Sequence, residues 1–176
     1  CHPDHINDCP LIENFLDYGK PIRLKIQIAP INVIIDDVLN LVKQKAVEQN
    51  ICIEKKILED SLLAPVDTQQ IKMCIINLVL NAIQAMQDNG GRIDIEMSKD
   101  NGFISIKVQD NGIGIPEENL SKVYEPYFTT KEAGIGLGLA ITKRIIDEHG
   151  GKIDIKSEYG KGTTAVIRLP IGTKNI

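Results

Sequence analysis

Asn77 and Asn81, in NLVLNAIQAM, stand four residues apart and share one face of any helix that carries them. Ile71, Ile75, Leu78, Ala82 and Ala85 or Met86 mark that helix's core stripe, and the two amides lie on its flank. Amide carbonyl oxygens at such an edge suit a hard cation such as Mg2+; surface or capping asparagines are the plainer alternative. Asp110 closes the alternating segment GFISIKVQD and opens DNGIG, where Gly112 and Gly114 tolerate positive φ and close backbone approach. A carboxylate at a strand end accepts a hydrogen bond from adenine's exocyclic amine and repels the oxygen that guanine presents there. Read alone, Asp-Asn-Gly is also a common turn.

Gly134, Gly136 and Gly138, in GIGLGLAITKRIIDEHGG, alternate with apolar residues and run into a helix pattern. Each costs a helix about 1 kcal/mol relative to alanine, so the spacing needs a reason. No buried strand precedes them, as a dinucleotide fingerprint requires, and no G-x-x-x-x-G-K-[ST] occurs in the chain. What remains is a glycine loop feeding a helix N-terminus, whose unpaired N–H groups and dipole favour an anion such as phosphate; a hinge is the alternative. Gly160 and Gly162, in YGKGTT, join two strand patterns and leave Thr163 with its hydroxyl at a strand start, which by itself signals only a turn.

The elements that must position these residues follow from periodicity. LIENFLDYGKP (11–21) reads as a helix end and linker, with Ile12, Phe15, Leu16 and Gly19 at helical spacing before a proline. Ile31, Ile35, Val38, Leu39, Val42 and Ala46 define an amphipathic helix, and ICIEKKIL alternates as a strand. Asp67 or Thr68 caps the asparagine helix. GRIDIEMS and GFISIKVQD are strands joined by the hairpin signal KDNG. Residues 111–135 are rich in Gly, Pro and charge with one helix-like turn, a length usually functional or disordered. A helix over 137–148 follows, with Leu137, Ile141 and Ile145 in line, and then the strands KIDIK and TTAVIRL. This order predicts an α+β fold with a mixed sheet covered on one face by helices.

With 176 residues and a net charge of −4, the chain can bury one sizeable core and shows no basic face for nucleic acid. No apolar run approaches the roughly 18 residues of a membrane span, and no signal peptide opens the chain, so it reads as soluble; the expected location is cytoplasmic, with a membrane-anchored parent protein left open. Cys1, Cys9, Cys52 and Cys74 lack C-x-x-C spacing and read as buried free thiols of a reducing compartment rather than a disulfide or zinc framework.

Taken together, Asn-x-x-x-Asn-Ala, Asp-x-Gly-x-Gly, a Phe-containing segment, Gly-x-Gly-x-Gly-Leu and Gly-x-Gly-Thr resemble the N, G1, F, G2 and G3 boxes of sensor histidine kinases. The resemblance covers about residues 31–170, and NAIQAM and YFTTK look most like the nitrogen-regulator type. It implies a Bergerat (GHKL) fold: a two-layer α/β sandwich with about five mixed strands, three main helices on one face and a flexible ATP lid over about 113–136. It implies a dimerisation-helix end and linker over 1–21, a catalytic domain over 22–172 and a tail over 173–176.

ATP and Mg2+ are the implied ligands. By the same resemblance Asn81 ligates Mg2+, with Asn77 beside the metal or phosphates. Asp110 binds the adenine amine, Gly112 and Gly114 line the base pocket, and Thr163 supports the base. Phe128 anchors the lid, with Thr129 and Thr130 next to it. Gly134, Gly136, Leu137 and Gly138 fold over the triphosphate. Many members carry a Lys three residues after the metal-binding Asn; here Gln84 stands there, which raises the importance of Lys131 as a γ-phosphate contact.

Gyrase, mismatch-repair and heat-shock-chaperone ATPases resemble this fold too. Gyrase and mismatch-repair ATPases carry a Glu four residues before the metal-binding Asn, as do serine kinases of the fold, to activate a poor nucleophile. Asn77 stands there in this chain and cannot accept a proton. A neutral imidazole, with a free pKa of about 6.5, needs no such base, which favours transfer to histidine over hydrolysis. The usual acceptor box, His-Glu-x-x-x-Pro, is matched only by His5 and Pro10, with Ile6 in the acidic position; His2 is a weaker candidate, and His149 reads as a helix C-terminus. The chain therefore reads as a catalytic fragment whose acceptor histidine lies on a dimerisation domain. A homodimer through those helices and a downstream response regulator are the implied partners. A nucleotide-binding regulatory module without transferase activity, and a hydrolase, are the alternatives.

Overall fold

The computed structural model describes residues 22–57, 62–86, 90–129 and 136–172. Strand β1 (Gln27–Pro30) leads directly into helix α1 (Ile31–Glu48), which buries Ile31, Ile34, Ile35, Val38, Val42 and Ala46. Strand β2 (Ile51–Ile57) follows after a turn through Asn50, and β3 (Leu63–Val66) pairs antiparallel with β1, Ile28 opposite Pro65. This two-stranded ribbon has no counterpart in the pattern read from sequence. Each strand has four residues including a proline, too few to show an alternation.

Helix α2 (Thr68–Ala85) starts where Asp67 accepts a hydrogen bond from Gln70 N–H at 3.1 Å. Its buried face, Ile71, Cys74, Ile75, Leu78, Val79, Ala82 and Ile83, is wider than a single stripe because α2 is central, with α1 on one side and α4 (Gly138–Glu148) on the other. The short helix α3 (Glu117–Leu120) is the one helical turn expected of the loop.

Strands β4 (Gly91–Asp100) and β5 (Phe103–Asp110) form the hairpin, turning through Asn101 and Gly102 at φ 47° and 82°. Two positive φ values give a turn whose twist matches that of the strands. With β6 (Lys152–Glu158) and β7 (Gly162–Pro170) they build a five-stranded sheet in the order β2-β4-β5-β7-β6. Only β2–β4 is parallel. The mixed sheet and the three helices on one face are those expected.

Strand alternation sorts the two faces. Ile93, Ile95 and Met97, Ile104, Ile106 and Val108, and Ala165, Ile167 and Leu169 point inward and are buried. Each large side chain so buried contributes roughly 1.5–3 kcal/mol. The outer face carries charge instead, with Arg92 bridging Glu54 at 2.8 Å and Asp94 at 2.7 Å, and Lys107 bridging Glu96 at 2.6 Å. The same alternation corrects one expectation: Ile51 points inward, so Cys52 is exposed, and only Cys74 of the described cysteines is buried. Burial pushes the Cys74 thiol up to about 12. Helix α4 buries Ala140, Thr142, Ile145 and Ile146, with Ile141 only half-buried, because it packs on both α2 and β6 rather than along one i+4 line.

His149 is buried at the C-terminus of α4. Its Nε2 accepts the Asp67 backbone N–H at 3.0 Å, which assigns the ring proton to Nδ1, 2.7 Å from the Ile145 carbonyl. The ring thus ties the tail of α4 to the cap of α2. Cys1, Cys9, His2, His5 and the helix end and linker over 11–21 lie outside the described residues. Among the described residues no helix is long and apolar enough to cross a membrane.

Candidate functional site

At one end of the sheet the inward series of three strands pass from apolar to polar. Ile104, Ile106 and Val108 lead to Asp110 on β5; Ile153 and Ile155 lead to Ser157 on β6; Leu169, Ile167 and Ala165 lead to Thr163 on β7. Asp110 is buried, and its Oδ1 accepts the N–H groups of Gly112 at 2.9 Å and Thr163 at 3.2 Å. Ser157 lies opposite Thr163 in the β6–β7 register, with their hydroxyl oxygens 2.8 Å apart. Ser157 Oγ also donates to the Gly162 carbonyl at 2.9 Å and accepts the Ile115 N–H at 2.7 Å. Asp110, Ser157 and Thr163 border a hollow of about 310 Å3.

The glycines here make room for the chain itself. A Cβ on Gly112 would stand 2.6 Å from the Ala85 carbonyl oxygen, where the Ile113 N–H also bonds at 2.9 Å, so the loop after Asp110 is fastened to the last turn of α2. Gly114, at φ +69°, faces the Glu158 carbonyl, and Gly162, at φ +120°, faces that of Asp110; a side chain at either would strike backbone. The end of β5, the end of α2 and the β6–β7 turn are thereby brought together.

Asn77 and Asn81 are half-buried one turn apart on α2, with Gln84 exposed beyond them. Asn77 Nδ2 donates to Thr142 Oγ1 on α4 at 3.0 Å. Gly138, the first residue of α4, is where that amide needs space: an added Cβ would overlap Asn77 Oδ1 and stand 3.0 Å from Cγ. The amide carbonyl oxygen is therefore held against the start of α4, whose first N–H groups have no partner within the helix.

The loop 113–129 is anchored rather than free. Val123 is buried, and Tyr124 donates to the Ile153 carbonyl at 3.3 Å with Lys143 Nζ 5.9 Å from its ring centre. Burial pushes the Tyr124 hydroxyl up to about 12. The Tyr127 N–H bonds to the Gly136 carbonyl at 2.9 Å, clasping the two ends of the segment between them. Phe128 is half-buried and Thr129 exposed, while Leu137 is buried as the residue before α4. A Cβ on Gly136, at φ +72°, would stand 2.5 Å from the Phe128 carbonyl oxygen. Thr130, Lys131 and Gly134 lie outside the described residues.

Among the described residues no three His, Cys, Asp or Glu side chains cluster to hold a metal. A cation here would rest on amide and ligand oxygens, the donor set that suits Mg2+ rather than Zn2+. Sequence reasoning missed Thr142 and Ser157. Both had a signal, being hydroxyls where the helical or alternating pattern asks for an apolar residue.

Five mixed strands under three helices, with a buried carboxylate and glycine turns at one end of the sheet and two amides on the central helix, define a domain of the Bergerat type. Residues 66–173 match the family described as "Histidine kinase-, DNA gyrase B-, and HSP90-like ATPase". Sporulation kinase C of Bacillus subtilis (strain 168) is 36% identical over 162 residues, and sensor histidine kinase ZraS of Escherichia coli (strain K12) 35% over 161, each across 92% of this chain. The chain spans only 38% and 34% of those proteins' lengths. The nucleotide-free catalytic domain of histidine kinase ThkA superposes with a TM-score of 0.77 at 35% identity, covering 84% of this chain and 96% of that one. ThkA crystallised with response regulator TrrA gives a TM-score of 0.79 at 32% identity, covering 92% and 46%. The chain belongs to the histidine kinase-, DNA gyrase B- and HSP90-like ATPase family, and within it is similar to the histidine kinases.

Proposed function

We propose that this domain binds Mg·ATP and transfers the γ-phosphate to a histidine on a dimerisation domain, in a two-component pathway that continues to a response regulator. The parent enzyme acts as a homodimer through its dimerisation helices, with this domain in the cytoplasm whether or not the parent is membrane-anchored. The observation that carries this reading is what helix α2 holds: its last turn fastens the loop that follows the buried Asp110, and about two turns earlier its Asn77 amide is set against the start of α4.

In this reading Asp110 and Thr163 receive the adenine amine, with Gly112 and Gly114 beside the base. Asn77 and Asn81 offer carbonyl oxygens to the metal and phosphates. Phe128, Thr129, Thr130, Lys131, Gly134, Gly136 and Leu137 fold toward the triphosphate with Gly138. Mg2+ bound at the amides would neutralise charge on the phosphates. The work of the protein is then positioning and electrostatics rather than proton abstraction, since Asn77 cannot act as a base. Within the described residues His149 is unavailable as acceptor, because it is buried with both ring nitrogens engaged.

Asp110→Asn tests the pocket. The asparagine keeps an oxygen for the two N–H groups but presents a donor to the base, which loses a hydrogen bond to a charged group worth about 1.5–3 kcal/mol, roughly 10- to 150-fold in Kd. Titration calorimetry with Mg·ADP should show that loss in a variant that still melts cooperatively; unchanged affinity refutes the pocket. Incubation with a purified dimerisation domain and radiolabelled ATP tests transfer. Acid-labile, base-stable label on the acceptor is expected, and binding without label leaves a regulatory module instead.

A further inference from the structure

Where the Asp110 end is read as a base pocket, as proposed above, the hydroxyl protons behind Thr163 decide what that end can recognise. A serine hydroxyl has one proton and two acceptor lone pairs. Among the described residues Ser157 has three partners, and two have fixed roles: the Gly162 carbonyl can only accept, at 2.9 Å, and the Ile115 N–H can only donate, at 2.7 Å. The single proton of Ser157 therefore goes to Gly162, and one lone pair goes to Ile115. The remaining lone pair faces Thr163 Oγ1 at 2.8 Å, so Thr163 must be the donor in that bond. With its proton turned back into the β6–β7 hairpin, Thr163 has only lone pairs left for anything beside Asp110. Its neighbour there, a carboxylate whose Oδ1 already takes two N–H groups, also offers acceptors.

We propose that Ser157 is a specificity-determining residue: by taking the Thr163 proton it keeps this end of the pocket acceptor-only, and so selects a purine carrying a 6-amino group over one carrying a 6-oxo group. Ser157 touches no base; it is a positioning residue that acts through Thr163. Without it, the Thr163 hydroxyl can rotate and donate to a 6-oxo purine.

The test is the ratio of affinities for Mg·ADP and Mg·IDP, which differ at the 6-position, amine against oxygen, and at N1, which bears a proton only in IDP; the N1 difference is common to every variant, so the change of ratio between variants reads the 6-position contact. Titration calorimetry on the whole chain should show wild type strongly preferring ADP. Ser157→Ala should narrow that ratio about tenfold, the size of one hydrogen bond gained by the 6-oxo base. Ser157→Ala on a Thr163→Val background should narrow it no further, since the rotating hydroxyl is gone. A folded Ser157→Ala with the wild-type ratio, or one weakened equally toward both nucleotides, overturns the proposal. Should Ser157→Ala fail to fold, Thr163→Ser and Thr163→Val decide: the serine should keep the wild-type ratio and the valine should lose part of it, and equal ratios overturn the assignment. Wild type binding neither nucleotide would instead refute the nucleotide reading itself, a result distinct from an unmoved ratio.

Discussion

Gly138→Ala separates what the asparagine helix needs for folding from what it needs for ligand. The added Cβ would overlap Asn77 Oδ1 and lie 3.0 Å from Cγ and 3.1 Å from Nδ2. Ordinary carbon contacts are about 3.5–4.0 Å, so the amide must retreat by several tenths of an ångström to about 1 Å. Only the end of a side chain has to give, and the glycine is helical, so the backbone accepts alanine. Retreat breaks the 3.0 Å bond to Thr142, a loss of about 1 kcal/mol, while alanine regains up to about 1 kcal/mol of helix propensity. Stability should therefore hardly change, with the melting temperature within about 4 °C of wild type. Mg·ADP affinity should fall about tenfold or more, because the displaced amide is the one offered to metal and phosphate; tenfold is about 1.4 kcal/mol. Thermal melts and titration calorimetry read the two effects, with Asn77→Ala and the double variant completing a cycle. The double variant should bind no more weakly than Asn77→Ala alone. A folded Gly138→Ala with wild-type affinity would show that the position of Asn77 is immaterial to binding.

Two further outcomes test the framework. Gly102 and Gly162 both have positive φ, but a Cβ at Gly102 meets nothing within 4 Å whereas one at Gly162 meets the Asp110 backbone. Gly102→Ala should lower stability by about 1 kcal/mol and Gly162→Ala by about 3 kcal/mol or more, measured by urea unfolding; equal losses would mean that φ alone governs both. Cys74, raised from 9.0 to about 12 by burial, should resist alkylation at pH 8 in the native state while exposed Cys52 reacts, as peptide mapping by mass spectrometry would show. Because its folded value lies above the unfolded one, the unfolded chain gives up its proton first as pH rises. The contribution of Cys74 is intact below about pH 9 and should be lost progressively toward pH 12, and native-state labelling at pH 8 would contradict that environment.

Much of the fold was legible because its elements are long and strongly periodic. The Asp67 cap, the faces of α1 and α2 and the β4–β5 hairpin could each be read from local pattern. The β1–β3 ribbon could not, since two proline-bearing four-residue strands carry too little alternation. For the candidate site, the sequence offered Asp110, Thr163 and the asparagines as types and spacings. It did not disclose what surrounds each glycine: Gly112, Gly114 and Gly162 face backbone carbonyls from elements far away in the chain. Ser157 and Thr142 escaped because hydroxyls in a strand and a helix have many mundane uses, and only register and packing bring them to Thr163 and Asn77.

The clasp between the Tyr127 amide and the Gly136 carbonyl has a consequence for how this protein can diverge. Chain whose two ends are held together by a hydrogen bond can be lengthened or rewritten between them at little entropic cost, since doubling a loop adds only about 0.6 kcal/mol of closure entropy. Swapping that stretch between related proteins should transplant its chemistry while the host sheet and helices stay as they were.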